Sequence, residues 1–108
     1  MNKYKNKKTI VDGIVFDSKH EAECWCQLKL LERCGLISDL KRQVPFELIA
    51  PRRINGKAVR GVYYVADFVY KNADGETVVE DAKGYRTDVY RLKKRAMLLL
   101  HDIDITEV

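Results

Sequence analysis

Two strand-like segments, residues 62–70 and 76–83, are joined by a turn that fixes how their side chains face each other. The turn, residues 72–76, reads Asn-Ala-Asp-Gly-Glu and fits a three-residue loop closed by a left-handed glycine. Counting back from this loop places Asp67 directly opposite Asp81. The turn therefore predicts that two carboxylates meet across neighbouring strands.

A second register is open to the same turn. A two-residue loop of Asp74 and Gly75 would place Asp67 opposite Ala82 and direct Asp81 to the other face of the sheet. The longer loop is favoured because Asp-Gly suits its last positions.

Local signals on either side predict the remaining elements. The chain has 108 residues, a length that suits a single domain spanning residues 1–108. The predicted order is hairpin-α-β-β-β-α-β, an α/β (α+β) fold with a mixed sheet flanked by helices. The predicted elements are a hairpin over 9–16 around Asp12-Gly13, a helix from Ser18 to about Cys34 stopped by Gly35, a strand over 36–50 in which Pro45 indicates an edge or bulged position, a basic loop over 51–61 with an Asn55-Gly56 turn, a helix from Thr87 to about His101, and a strand over 103–108.

The position of Asp67 calls for a chemical explanation. Aspartate is poorly suited to the interior of an apolar strand, and burying its charge costs several kcal/mol unless a partner compensates. Two facing carboxylates also repel, and a divalent cation relieves both penalties. Oxygen ligands of this kind favour Mg²⁺ or Mn²⁺. The structural alternative is that backbone donors hold Asp67, or that it pairs with Lys83.

Glu21 is a further candidate ligand. It lies one turn before Cys24 and Trp25 on the apolar face of the first predicted helix, so its side chain is expected to point inward. Its rival role is a capping box with Ser18. One carboxylate conformation cannot serve both roles.

Basic residues are concentrated in three stretches of the chain, residues 1–8, 52–60 and 83–95. These stretches hold 14 of the 20 basic residues and one of the 16 acids. Such segregation suits a surface that contacts a phosphate backbone, although a solvated face without a partner gives the same pattern.

These features resemble the PD-(D/E)xK nuclease superfamily, which is restriction-endonuclease-like and Holliday junction resolvase-like. The resemblance rests on a helical glutamate, a strand aspartate and Asp-x-Lys on the next strand, and it runs from about residue 10 to the C-terminus. Three local sequences are similar to a small phage and prophage-type family within it, namely Phe16-Asp-Ser-Lys-His-Glu-Ala-Glu23, Tyr64-Val-Ala-Asp-Phe68 and Val79-Glu-Asp-Ala-Lys-Gly84. Ala66 stands where the motif has proline.

The resemblance implies a role for each matching residue. Asp67 and Asp81 would be metal ligands, joined by Glu21 and the backbone carbonyl of Ala82. Lys83 would orient the attacking water and stabilise the transition state. The expected nucleic-acid contacts are Gln43, Arg52, Arg53, Arg86, Arg91, Lys93 and Lys94. For Tyr90, packing beneath the second helix is the favoured interpretation.

The predicted function is a metal-dependent endonuclease that hydrolyses DNA phosphodiester bonds, with branched or junction DNA as a candidate substrate. One alternative is a DNA-binding module that does not cut, and another is a scaffold protein. A homodimer is expected because one short domain offers a small DNA footprint. Without a signal peptide or a membrane-length apolar run, the chain is expected in the cytoplasm, that of the bacterial host if phage-encoded.

Three cysteines, Cys24, Cys26 and Cys34, lie in or beside the first predicted helix. Their spacing does not suit a zinc site or a mutual disulfide. They are therefore expected to be buried structural thiols.

Overall fold

The computed structural model describes residues 7–82 and 86–108. Over these ranges the chain is a mixed α+β protein with a central sheet and two helices. The elements in chain order are β1 (Thr9–Val11), β2 (Ile14–Phe16), α1 (Lys19–Arg33), β3 (Ser38–Ile49), β4 (Arg52–Ile54), β5 (Lys57–Val59), β6 (Val62–Lys71), β7 (Thr77–Asp81), α2 (Asp88–His101) and β8 (Thr106–Glu107).

The central sheet has the strand order β3-β6-β7-β8. The first three strands are antiparallel, and β8 pairs in parallel with β7, so the sheet is mixed as predicted. Pro45 lies in β3 at the edge of the sheet, where the missing backbone N–H is tolerated, which also agrees with the prediction. The β1–β2 hairpin forms as predicted, around Asp12 and Gly13 with positive φ.

The turn between β6 and β7 adopts the predicted three-residue loop. The N–H of Asn72 donates to the carbonyl of Glu76 at 3.0 Å, and Gly75 is left-handed with φ 79°. The paired residues run from Lys71 opposite Thr77 to Phe68 opposite Glu80. Continuing this register by one residue brings Asp67 opposite Asp81, and the two-residue alternative is excluded.

Both helices begin at the predicted caps. The Ser18 hydroxyl accepts the N–H of Glu21 at 3.1 Å, and the Thr87 hydroxyl accepts the N–H of Tyr90 at 3.0 Å. Gly35, with φ 78°, follows the end of α1, as predicted. Within residues 7–82 and 86–108, neither helix is long and apolar enough to cross a membrane.

Two apolar clusters form the core, one under each helix. The cluster under α1 includes Trp25 and Phe68, and the cluster under α2 includes Ala66 and Met97. Val69 packs against the α2 cluster, although it follows Phe68 directly. Because successive side chains of a strand point to opposite faces, the two clusters lie on opposite faces of β6 at this position.

At Asp67, strand β6 changes which of its two faces packs against which apolar cluster. Ala66 and Phe68 are two residues apart and would share a face of a regular strand, yet they belong to different clusters. On β3 the corresponding position is Gln43, whose neighbours Arg42 and Val44 pair with Phe68 and Ala66 and whose own φ is 55°. Gln43 and Asp67 therefore lie together where the sheet turns from one helix towards the other.

The stretch predicted as a basic loop, residues 51–61, instead contains a further hairpin. Arg52–Ile54 forms β4, Lys57–Val59 forms β5, and the Asn55-Gly56 turn lies between them with positive φ at both positions. Asn-Gly is the preferred sequence for a two-residue hairpin turn. The prediction of a loop was wrong because both strands are only three residues long and expose every residue, so they lack the alternating apolar pattern of a strand.

The prediction of buried cysteines was also wrong. All three thiols are free, Cys24 is half-buried, and Cys26 and Cys34 are exposed. The inward face of α1 is taken by Trp25 and Leu28, which leaves Cys26 on the solvent side, while Cys34 lies at the C-cap.

Candidate active site

Asp67 lies where β6 rotates, that is, where it changes its buried face, and only 3% of the residue's surface is exposed. Its Oδ2 accepts the backbone N–H of Ala82 at 2.8 Å, and its Oδ1 lies 3.4 Å from the Nε2 of Gln43. The backbone donor matches one of the structural alternatives for this aspartate.

Glu21 lies in the first turn of α1 with its carboxylate turned into the protein, 6% of the residue being exposed. Its backbone N–H bonds the Ser18 hydroxyl, while its Oε2 lies 3.5 Å from Gln43 Nε2 and 3.8 Å from Arg42 Nη2. The N-cap and the inward carboxylate therefore coexist, because the cap uses the backbone of Glu21.

Gln43 links the two carboxylates. Its single Nε2 contacts Oε2 of Glu21 and Oδ1 of Asp67, so side chains from α1, β3 and β6 meet at one amide. The left-handed backbone of Gln43 costs a non-glycine residue about 1–3 kcal/mol, and such conformations cluster at functional sites. The amide supplies partial positive charge between two acids that would otherwise repel.

Asp81 is the most deeply buried acid of the described chain, with 0% exposure. The hydroxyl of Tyr64 donates to its Oδ2 at 2.8 Å. Burial raises the pKa of Tyr64, and the charge of Asp81 raises it further, so Tyr64 stays a protonated donor at neutral pH. Tyr64 lies on β6 three residues before Asp67, and the rotation of that strand allows it to reach Asp81.

The carboxylates offer oxygen ligands of the type that Mg²⁺ and Mn²⁺ prefer. Across residues 7–82 and 86–108, no three His, Cys, Asp or Glu side chains are close enough together to hold a metal ion by themselves. Mg²⁺ needs only one or two protein carboxylates, with waters and substrate phosphate completing its shell. Asp67 and Asp81, at facing positions of the register, fit that smaller requirement. Lys83, the predicted fourth member of the site, lies outside the described residues.

Several of the predicted nucleic-acid contacts have protein partners. Glu107 accepts from Arg86 at 3.1 Å and lies 3.5 Å from Lys94, while Arg91 pairs with Asp88 at 3.0 Å. Lys94 thus connects β8 to α2, and Arg86 connects β8 to the segment just before that helix. A contact of either residue with phosphate would have to compete with these ion pairs. Lys93 is half-buried on α2, and Arg52 and Arg53 are exposed on β4. Tyr90 packs in the core beneath α2, as favoured from the sequence, with its hydroxyl bonded to Glu107 at 2.8 Å.

Two residues of the site were missed in the sequence. Arg42 contacts Glu21 and lies over the ring of Phe16, and Tyr64 holds Asp81. Arg42 precedes Gln43 directly, and no periodic signal marks it. Regular alternation would put Tyr64 and Asp67 on opposite faces of β6, which hides the relation of Tyr64 to the site.

Comparison with known proteins places the chain in a family. Searches of curated proteins and of solved structures found no match. A family model described as "Protein of unknown function (DUF1064)" matches residues 1–106. Since that match covers all but the last two residues, the chain belongs to the DUF1064 family.

Proposed function

We propose that this protein is a divalent-metal-dependent endonuclease that hydrolyses phosphodiester bonds of DNA, built on a restriction-endonuclease-like core of the PD-(D/E)xK type. The observation that carries the proposal is the meeting of two buried carboxylates, Glu21 and Asp67, at the Gln43 amide, with Asp81 at the facing position of the next strand. Acids buried close together repel each other, and a divalent cation bound between them would offset that repulsion.

The element order supports the finer fold assignment. Helix α1 precedes three antiparallel strands, and α2 then leads to β8, which runs parallel to its neighbour β7. The candidate acids come from α1, β6 and β7, the elements on which the superfamily motif carries its own acids.

Each residue of the proposed site has a distinct task. Asp67 and Asp81 would hold the metal, with Glu21 as a direct or water-mediated ligand. When bound, Mg²⁺ or Mn²⁺ supplies a water of lowered pKa and charge stabilisation at the phosphate oxygens. Tyr64 fixes one oxygen of Asp81, and the Ala82 N–H fixes one oxygen of Asp67. The ammonium group of Lys83, two residues after Asp81, would stabilise the charge that develops on the phosphate.

A DNA-binding module without activity is the second candidate. It is favoured by the hydrogen bonds to both oxygens of Asp67, because Gln43 and Ala82 hold this acid without requiring a metal. In that case the site would be a structural hydrogen-bond network.

A plasmid-nicking assay in Mg²⁺ or Mn²⁺ tests the proposal. The wild type is expected to nick, and Asp67→Asn to lose more than about 100-fold in rate, because electrostatic stabilisation at the reacting phosphate depends on this ligand. Asp74→Asn is the matched control, since Asp74 lies in the exposed β6–β7 turn. A panel of duplex, nicked, flapped, single-stranded and four-way DNA then identifies the preferred substrate.

Calorimetry with Mg²⁺ and Mn²⁺ separates the two candidates. The proposed nuclease binds metal, and Asp67→Asn weakens that binding. If the wild type binds DNA but neither binds metal nor nicks, it is the inactive DNA-binding module. If it binds neither DNA nor metal and does not nick, both candidate functions are wrong.

A further inference from the structure

The β4–β5 hairpin is the far end of the long β3–β6 hairpin. Ile49 pairs with Val62 at the end of β3–β6, and Arg52 pairs with Val59 at the start of β4–β5, in the same register. Residues 50–51 and 60–61 interrupt the ladder between the two parts. Residues 52–59, here called the ribbon, therefore extend the sheet's edge pair.

The ribbon has no packing partner in the described part of the chain. All of its residues are exposed, including the apolar Ile54 at 42% and Val59 at 47%, and none belongs to either core cluster. An isolated two-stranded hairpin is marginally stable in water. Its folding is helped by the Asn55-Gly56 turn and by its continuity with β3 and β6.

The base of the ribbon is tightly closed. A Cβ on Gly61 would lie 2.7 Å from the carbonyl oxygen of Ile49 and 2.9 Å from Cδ of Pro51. Such distances are too short for any side chain, so glycine allows the two chains to approach closely there. Together with the fixed φ of Pro51, this contact restricts the direction in which the ribbon leaves the sheet.

The ribbon and its base carry positive charge only. Arg52, Arg53, Lys57 and Arg60 are exposed, and no acid occurs between Glu47 and Asp67. Paired residues share a face, so Arg52 and Lys57 lie on the same face as Ile54 and Val59. This face offers cations for phosphate together with apolar groups.

We propose that the ribbon enters the major groove of B-form duplex DNA. Three residue pairs span about 10 Å, with strands about 4.8 Å apart, against a groove about 8.5 Å deep and about 12 Å wide that admits a two-stranded ribbon. The deep, narrow major groove of duplex RNA does not admit it. Exposed apolar groups on a basic face are suited to thymine methyl groups between phosphates. The proposal rests on the proposed function, because it makes DNA the substrate and duplex the bound form.

The test measures binding to a 24-base-pair duplex, either of DNA or of RNA with the same sequence. Fluorescence anisotropy reports the affinity, and EDTA is present so that no cutting occurs. The ribbon variant carries Arg52→Gln, Arg53→Gln, Lys57→Gln and Arg60→Gln. The control variant loses the same charge from residues outside the three basic stretches, through Lys19→Gln, Lys29→Gln, Arg33→Gln and Lys41→Gln. Thermal melts by circular dichroism check that both variants are folded.

The ribbon variant is expected to bind DNA at least about 10-fold more weakly, and the slope of log K against log salt should fall by up to about 0.9 for each lost phosphate contact. The control should change affinity by less than about 3-fold, since scattered surface charges are screened. RNA duplex should bind more weakly than DNA, and methyl green, which occupies the major groove, should compete where the minor-groove ligand netropsin does not.

Equal losses in the two variants, equal affinity for RNA, competition by netropsin instead of methyl green, or no DNA binding by the wild type would each overturn the proposal. If the wild type binds DNA through the ribbon but never nicks, the ribbon proposal stands and the proposed nuclease function is wrong. If nicking is unchanged in the ribbon variant, the nuclease function stands and the ribbon proposal is wrong.

Discussion

Asp67 and Asp81 are each held by a donor from the other side of the β6–β7 pair. Asp67 on β6 accepts the backbone N–H of Ala82, which directly follows β7, and Asp81 on β7 accepts the hydroxyl of Tyr64 on β6. These reciprocal bonds cross the β6–β7 pair in both directions. They hold both carboxylates in fixed positions, as the proposed metal site would require.

Tyr64→Phe is expected to destabilise the protein through Asp81. The change removes only the hydroxyl that donates at 2.8 Å to a fully buried carboxylate. A hydrogen bond to a charged group contributes about 1.5–3 kcal/mol, so the free energy of unfolding should fall by about that amount. Urea denaturation measures it.

The neighbouring Tyr63→Phe is the control, because Tyr63 is 39% exposed and its loss of a hydroxyl should change stability by less than about 0.5 kcal/mol. Equal stability of the two variants would mean that the Tyr64 bond contributes nothing. If Tyr64 also positions a metal ligand, Tyr64→Phe should weaken Mg²⁺ binding while Tyr63→Phe does not.

At the scale of elements, β8 is joined to α2 through one carboxylate. Glu107 accepts from the hydroxyl of Tyr90 at 2.8 Å and pairs with Arg86 and Lys94. The Tyr90 hydrogen bond lowers the pKa of Glu107 most, and the charges of Lys94 and Arg86 lower it further. Since β8 pairs with β7 at two positions in the described part of the chain, this carboxylate is expected to contribute much of its attachment.

Glu107→Gln should therefore lower stability in a pH-dependent way. A carboxyl group whose pKa is lowered by folding stabilises the protein above its ordinary pKa, about 4.3, and loses that contribution as the pH falls through the lowered value. At pH 7 the variant should be less stable by about 1 kcal/mol, because the group is partly solvated and screened. The difference should shrink towards pH 3.

Thermal melts of the wild type and Glu107→Gln between pH 3 and pH 7 provide this measurement. Glu23→Gln, on the exposed side of α1, is the control and should follow the wild type at every pH. A stability difference that is constant over this range would show that the charge of Glu107 is not what attaches β8.

Turn and cap chemistry made most of these elements predictable. Ser18, Thr87 and Gly35 mark helix ends by local hydrogen bonds or a left-handed backbone, so they need no knowledge of the rest of the fold. The β4–β5 hairpin was missed although its Asn55-Gly56 turn was recognised. Its strands have no buried face, so the alternating apolar pattern on which strand prediction depends is absent.

At the scale of the whole molecule, α2 presents an apolar stripe to solvent. Val89, Leu92 and Leu99 are 63%, 65% and 76% exposed, and with Ala96 they repeat at intervals of three, four and three residues. This is the spacing of a two-helix seam. Beside the stripe, Asp88 and Lys93 occupy the flanking positions that bear opposite charges across a parallel pair of helices.

We propose that the predicted homodimer forms along this stripe, with a second copy of α2 as its partner. At micromolar concentration the wild type is expected to be a dimer and Leu92→Glu a monomer, because the substitution places a carboxylate in the middle of the seam. Size-exclusion chromatography with light scattering measures the mass.

Leu30→Glu is the matched control, since Leu30 is similarly exposed, at 56%, on α1. This variant should remain dimeric. A monomeric wild type at micromolar concentration, or a Leu92→Glu variant that stays dimeric, would remove the stripe as an interface.

The sequence by itself determined the β6–β7 register, because the Asn72–Glu76 turn chemistry is local and the side-chain period of a strand is two. Asp67 opposite Asp81 follows from that turn alone. Only the tertiary structure decided that Glu21 meets Asp67 through Gln43 and that Tyr64 reaches Asp81. These contacts depend on the rotation of the sheet at Gln43 and Asp67, which breaks the regular alternation that sequence patterns assume.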